Sequence, residues 1–178
     1  MEIQAARLAA RLGPDGSLVP LTEQNRARWD QLLIGRGLHA LERAEALAEH
    51  RGPYTLQAAI AACHARAQTA AETDWEQIAL LYQALAALAP SPVVELNRAV
   101  AVAMADSPEH GLQIIDGLAA EPVLAGYHHL PSVRGDLLTR LGRYAEAAGE
   151  FRRAASLTKN IPERTVLLQR AAECSART

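Results

Sequence analysis

Two stretches of this chain repeat each other at a fixed interval, and that repeat limits the fold more than any other feature. Ala99, Gly111, Ile115 and Leu118 recur 36 residues later as Gly135, Ala147, Phe151 and Ala154. Each set runs small, small, bulky apolar, then small or apolar, with the same internal spacing. A period of this length is that of a helical hairpin. One hairpin cannot bury its apolar face alone, so it stacks on a neighbour.

In the second copy Gly135 falls in one helix and Ala147 and Ala154 in the next, with Leu141-Gly142-Arg143-Tyr144 as the turn. The pattern resembles the tetratricopeptide repeat, in which small residues let two antiparallel helices approach and a bulky residue fills the gap between repeats. Gly135, Tyr144, Ala147, Phe151 and Ala154 lie on that pattern. Pro131 stands where an aromatic is usual, and Lys159 where the closing proline is usual. The expected fold is all-α. The resemblance implies a tetratricopeptide-like stack of antiparallel helical hairpins, an α-solenoid with a right-handed superhelix. An N-terminal helical extension and a C-terminal capping helix complete it.

Composition agrees with the helical class. Alanine fills 37 of 178 positions, while Phe, Trp and Tyr together fill seven. Alanine-rich helices carry little bulk and pack closely. The net charge of -2 gives no strong pull on nucleic acid or an anionic membrane. No apolar run reaches the ~20 residues that span a bilayer, and the first residues lack a signal-peptide pattern. Cys63 and Cys174 show no metal spacing and read as two reduced thiols, so a cytoplasmic location is expected.

The chain divides into an N-terminal helical segment over residues 1–50 and a repeat array over 51–178, packed as one globular domain. Glu2 to Leu12 reads as a short helix, Gly13 to Ser17 as a turn, and Leu18 to Leu21 as extended ahead of and around Pro20. Thr22 is placed to cap a first helical turn. Asp30 is placed to cap the next helix, with Trp29 and Ile34 as a hydrophobic staple. That helix is expected to reach about Glu49 and to bury Trp29, Leu33, Ala40, Leu41, Ala44 and Leu47. Gly35 and Gly37 mark a kink or a close approach. Tyr54 to about Gln68 is helical, and Thr73 with Glu76 forms a capping box for a helix from Asp74 to Ala89. This pair reads as a degenerate first repeat. Ser91-Pro92 and Ser107-Pro108 start the next two helices. Asn160 and Glu163 cap a final helix to about Ala176.

No residue pattern marks an enzyme, and no metal or cofactor is expected. Nucleophile-elbow serine, glycine-rich phosphate loop and His-Glu-x-x-His are all missing from the sequence. His128-His129 is the one histidine cluster. Neighbours on a helix point ~100° apart, which makes a poor chelating pair. Glu42 with Glu45 and Glu146 with Glu150 have the spacing of a solvated helix face. Arg140, Arg143, Arg152 and Arg153 suit exposed helix ends or a carboxylate partner. The interaction candidates are Gln24, Asn25, Arg26, Trp29 and Asp30. They form either a contact patch or a buried network in which Trp29 anchors the segment and Arg26 pairs with Asp30 one helical turn on.

A set of landmarks runs in order along the chain. They are Ala6-Arg7, Asp15-Gly16-x-Leu18-Val19-x-Leu21, Gln24-Asn25-Arg26-x-x-Trp29-Asp30, and Gly52-Pro53-Tyr54-x-Leu56-Gln57-Ala58-Ala59-Ile60. Thr73-Asp74-Trp75, Ser91-Pro92-Val93-Val94-x-Leu96-Asn97-Arg98-Ala99-Val100-Ala101 and Asn160-x-x-Glu163-Arg164 follow. Together they resemble the C-terminal tetratricopeptide-like extension of a group of bacterial extracytoplasmic-function sigma factors. Asn25 stands where that group normally has Asp. The polymerase-binding and promoter-reading domains that precede this extension are not in the chain, so the resemblance implies an excised tail, or a reading frame opened at an internal Met1. It further implies a regulatory domain that controls transcription initiation in cis. Its partners would be the sigma core domains or RNA polymerase, with no direct contact to nucleic acid or membrane. Homodimer formation stays open, since short arrays often hide an exposed end by pairing. The other reading is a free-standing scaffold that holds a peptide or small ligand of an unrelated partner.

Overall fold

The computed structural model describes residues 2–13, 19–47 and 49–178. Residues 14–17 of the expected Gly13 to Ser17 turn, with Leu18, lie outside the described residues, as do Met1 and Ala48. Among the described residues the regular structure is helical. The α-helices are α1 (Glu2–Ala5), α2 (Gln31–Leu47), α3 (Pro53–Arg66), α4 (Trp75–Leu88), α5 (Pro92–Ala105), α6 (Pro108–Gly117), α7 (His129–Arg140), α8 (Tyr144–Leu157) and α9 (Ile161–Ser175). Short 3-10 turns occupy Leu8–Ala10, Arg26–Arg28 and Pro122–Leu124. No helix among the described residues is long and apolar enough to cross a membrane.

The helices group into two compact units, Met1–Ala89 and Pro90–Thr178. The sequence places a division near residue 50 instead. In the structure the N-terminal segment belongs with α3 and α4, because its side chains pack and hydrogen-bond there.

In the first unit α1 is shorter than the helix read over Glu2 to Leu12. The carbonyl of Ala6 accepts from the Asp30 amide at 3.0 Å, and the chain tightens to 3-10 turns from Leu8. Gly37 explains how α1 approaches α2. A Cβ there would lie 2.5 Å from Ile3 Cγ1 and 3.2 Å from the Ile3 backbone nitrogen. Gly35 has open space around it, and α2 runs unbroken past both glycines. The buried seam of α2 is Ile34 and Leu41, with Gly37 and Leu38 half-buried beside them. Ala40, Ala44 and Leu47 are exposed, Leu47 at 87%. The face read from the sequence is therefore rotated, because Ile3 claims the Gly37 side. Helices α3 and α4 pack on one another, and Leu56, Ala59, Ile60, Ile78, Leu81 and Leu85 along them are buried.

In the second unit successive helices α5 to α9 pack against their chain neighbours around one apolar cluster. Gly111 lets α6 meet α5, since a Cβ there would stand 2.5 Å from Ala103 Cβ and 2.8 Å from the Ala99 carbonyl. Gly135 does the same for the Phe151 ring, 2.8 Å from where its Cβ would be. Ala99, Gly111, Ile115, Leu118, Gly135, Ala147, Phe151 and Ala154 are all buried, and Tyr144 is half-buried. Between α7 and α8, Gly142 takes φ +72°. The amides of Gly142 and Arg143 return to the carbonyls of Thr139 and Leu138, at 3.1 and 2.9 Å. This left-handed closure reverses the chain in three residues and makes α7 and α8 antiparallel. Pro131 is buried in the first turn of α7. Helix α9 covers α8 with Leu167, Ala171 and Cys174, and leaves Val166 exposed.

Candidate functional site

The site grows from a six-residue run that bridges the N-terminal segment to α2. Asn25 Oδ1 accepts from the Ala27 amide at 3.0 Å and starts the Arg26–Arg28 turn. The cap is Asn25, and not Thr22. Asp30 Oδ1 accepts from the amides of Leu32 and Leu33, both at 3.0 Å, and starts α2. These two caps fix where Arg26 and Trp29 project. Trp29 is 3% exposed and packs with Ala6, Ala10 and Ile34. Gln24 Nε2 donates to the Val19 carbonyl at 3.0 Å.

Arg26 is 7% exposed and does not pair with Asp30. Its Nη1 donates to the carbonyls of His64 and Ala67, at 2.8 and 3.0 Å, and its Nη2 donates to Thr73 Oγ1 at 2.7 Å. The reason is electrostatic. The last carbonyls of a helix lack intrahelical donors and carry partial negative charge. The C-terminus of α3 therefore attracts a cation more directly than Asp30, which is committed to the amides of α2. Thr73 is buried by the same bond. It does not cap α4. Asp74 does, accepting from the Gln77 amide at 2.9 Å.

More positive charge gathers around Trp29 than the sequence suggests. The guanidinium carbons of Arg26 and Arg7 lie 5.3 and 5.9 Å from the Trp29 ring centroid, within cation–π range. Burial lowers the Arg26 pKa, opposed by Glu72. Burial lowers that of Arg7 too, helped by Arg11 and Arg26 and opposed by Tyr82. His64 packs edge-on to Trp75 at 5.2 Å. Burial, then Arg26 and Arg7, push its pKa down to about 4, so it is neutral at pH 7. Among the described residues, Arg7 Nε, Arg26 Nε, Trp29 Nε1, His64 Nδ1 and Gln24 Oε1 are buried without a hydrogen-bond partner in this cluster. A cavity of about 470 Å³ adjoins it. Its walls include Arg26, Trp29, Ile34, Ala65, Arg66 and Thr69.

The sequence marked Gln24, Asn25, Arg26, Trp29 and Asp30, and the structure places Arg26 and Trp29 in one buried cluster. Asn25 and Asp30 serve as caps on its exposed side. His64 and Arg66 were not singled out, Thr73 was read as the cap of α4, and Arg7 stood only in a landmark. Their contacts with the motif span long stretches of chain, where local periodicity carries no signal.

The other candidates are placed elsewhere. Glu42 lies 3.8 Å from His39, and Glu45 pairs with Arg51 at 2.8 Å. Glu146 pairs with Arg143 at 2.7 Å, and Glu150 with Arg134 at 2.9 Å. Arg152 donates to Ser175 Oγ, and Arg140 reaches Met104 Sδ. The ring centroids of His128 and His129 lie 4.0 Å apart, the rings tilted by 37°. No group of three or more metal-ligating side chains is assembled among the described residues.

Residues 1–45, which carry this motif, match a family of unknown function (DUF6596). Over 163 residues the chain is 45% identical to an uncharacterized protein of Rhizobium meliloti (strain 1021). That match covers 90% of this chain and 37% of the relative, so the chain spans little more than a third of the relative's length. No solved structure matches.

Proposed function

We propose that this chain is a regulatory protein-interaction domain of an extracytoplasmic-function sigma factor, acting in cis on transcription initiation through the sigma core or RNA polymerase. It carries no catalytic function in this reading. One observation supports it most. The Arg26–Thr73 bond of 2.7 Å joins two of the landmarks on which the resemblance rests, and Arg26 also holds the end of the helix that begins at the third, Gly52-Pro53-Tyr54. Residues scattered along the chain thus serve one cluster.

The hairpins α5–α6 and α7–α8, with their small residues at the contact, are consistent with a tetratricopeptide-like solenoid capped by α9. Such an array offers a concave face to a protein partner. The relative's greater length leaves room for the sigma domains this reading requires. Its cytoplasmic location follows from the same reading. The test is transcription from a target promoter by the full-length sigma factor, with and without this domain. A changed output on deletion supports the proposal, and an unchanged output overturns it. A free-standing peptide-binding scaffold is the alternative, and sigma domains encoded in frame upstream would exclude it.

A further inference from the structure

The histidine pair, which the proposed function leaves unused, meets a landmark of the sequence in space. His128 stands at the N-cap of α7, and His129 begins that helix. Their ring centroids are 4.0 Å apart, and Tyr127 packs edge-on to His129 at 5.0 Å. Across from His128 is Glu163, in the first turn of α9. The turn between α8 and α9 fixes that carboxylate. Thr158, buried, donates from Oγ1 to Glu163 Oε2 at 2.9 Å, and Arg164 Nη2 donates to the Thr158 carbonyl at 3.0 Å. The Glu163 amide donates to Asn160 Oδ1 at 3.3 Å. Glu163 Oε2 also lies 3.3 Å from His128 Nε2. That nitrogen is buried and completes no hydrogen bond among the described residues. A bare imidazole nitrogen and a carboxylate oxygen both carry lone pairs, so the contact is favourable only when Nε2 bears hydrogen.

A proton on His128 turns this contact into a charge-assisted pair. Two forces limit the cluster to one proton. The N-terminus of α7 carries partial positive charge, which opposes an imidazolium unless Glu163 offsets it. A second imidazolium beside the first would repel it. Desolvation, then His128, lower the His129 pKa, opposed by Glu163. His129 is exposed, so it exchanges its proton with solvent. The groups set about the pair are Tyr127 from the preceding connection, Thr158 from the α8–α9 turn, and Glu163 and Arg164 from α9. We propose that His128, His129 and Glu163 form a one-proton clasp between the start of α7 and the start of α9. Protonation of His128 closes an ion pair that holds the first turn of α9, and loss of the proton as pH rises loosens it. The device acts on the closing helix of the second unit. It goes beyond the sigma-factor proposal and does not depend on it.

The test follows the histidine ring nitrogens of the full chain by NMR from about pH 8 to 5, where histidine ordinarily changes charge. Amide hydrogen exchange in α9 is measured at both ends of that range. His128 is expected to become an imidazolium while His129 stays neutral. Corrected for intrinsic rates, the Glu163 and Arg164 amides should exchange about tenfold more slowly once His128 is charged. Glu163→Gln keeps an acceptor for Thr158 and removes the charge. It should lower the pH at which His128 charges by about one unit and abolish the pH dependence of protection. His128→Asn should raise the pH at which His129 charges. The proposal is overturned if both rings charge together in the unaltered chain. It is overturned too if Glu163→Gln leaves the His128 midpoint in place, or if α9 protection is equal at both ends of the range. The titration of the unaltered chain decides the matter even where a variant fails to fold.

Discussion

Arg26 Nη2 donates to Thr73 Oγ1 at 2.7 Å, joining residues 47 positions apart. With the bonds to His64 and Ala67 it fastens the N-terminal segment to the α3–α4 connection. Thr73→Val keeps the shape and removes the acceptor. A hydrogen bond to a charged group contributes ~1.5–3 kcal/mol, so the variant should lose about that much stability. Both tryptophans, Trp29 and Trp75, lie in the first unit, so their fluorescence during urea unfolding reads that loss directly. Asp74→Ala, which removes only the α4 cap, should cost ~1 kcal/mol.

His64 makes the first unit sensitive to acid. Its pKa is about 4 in the folded chain against an ordinary 6.5. The unfolded chain therefore binds the proton first as pH falls, and folded stability drops between pH 6.5 and 4. The full loss is on the order of 3 kcal/mol. Urea midpoints followed by tryptophan fluorescence should fall steadily across that window. In His64→Phe the fall should be shallower.

Two glycines separate packing from backbone effects in the second unit. Gly135→Ala sets a methyl 2.8 Å from the Phe151 ring and should destabilise by ~1–3 kcal/mol through overpacking. Gly149 sits in α8 with open space around it. Gly149→Ala should stabilise by ~0.5–1 kcal/mol through helix propensity. Circular dichroism melts of the two variants should move in opposite directions.

Arg134 reaches Asp116 and Glu150, each at 2.9 Å, and so ties α6 and α8 to α7. Glu150 is largely buried, and its Oε2 already lacks a partner. Arg134→Met should cost ~1–3 kcal/mol, read as a lower melting temperature. Added salt should narrow the gap to the parent chain less than for an exposed pair such as Arg143–Glu146.

The helical class was legible because alanine content, proline-led starts and the 36-residue repeat all point the same way. The repeat also located its own packing residues, since Gly135 and Phe151 meet by steric necessity. The face of α2 was not legible. It depends on Ile3 entering at Gly37, and hydrophobic periodicity within α2 contains no trace of α1. The same limit hid the Arg26 network. Asp30 lies one helical turn away and looks like its partner, yet the last carbonyls of α3 outcompete it only once the chain has folded back. The Asp30 cap was legible from its place before α2, whereas Asn25, marked only for the motif, turns out to cap the turn that aims Arg26.

The most direct measurement is binding between this purified chain and separately purified core domains of the extracytoplasmic-function sigma factor that the proposal requires, followed by calorimetry. A saturable one-to-one complex is the expected result. Absence of binding to both the sigma core and RNA polymerase would contradict a regulatory domain acting in cis.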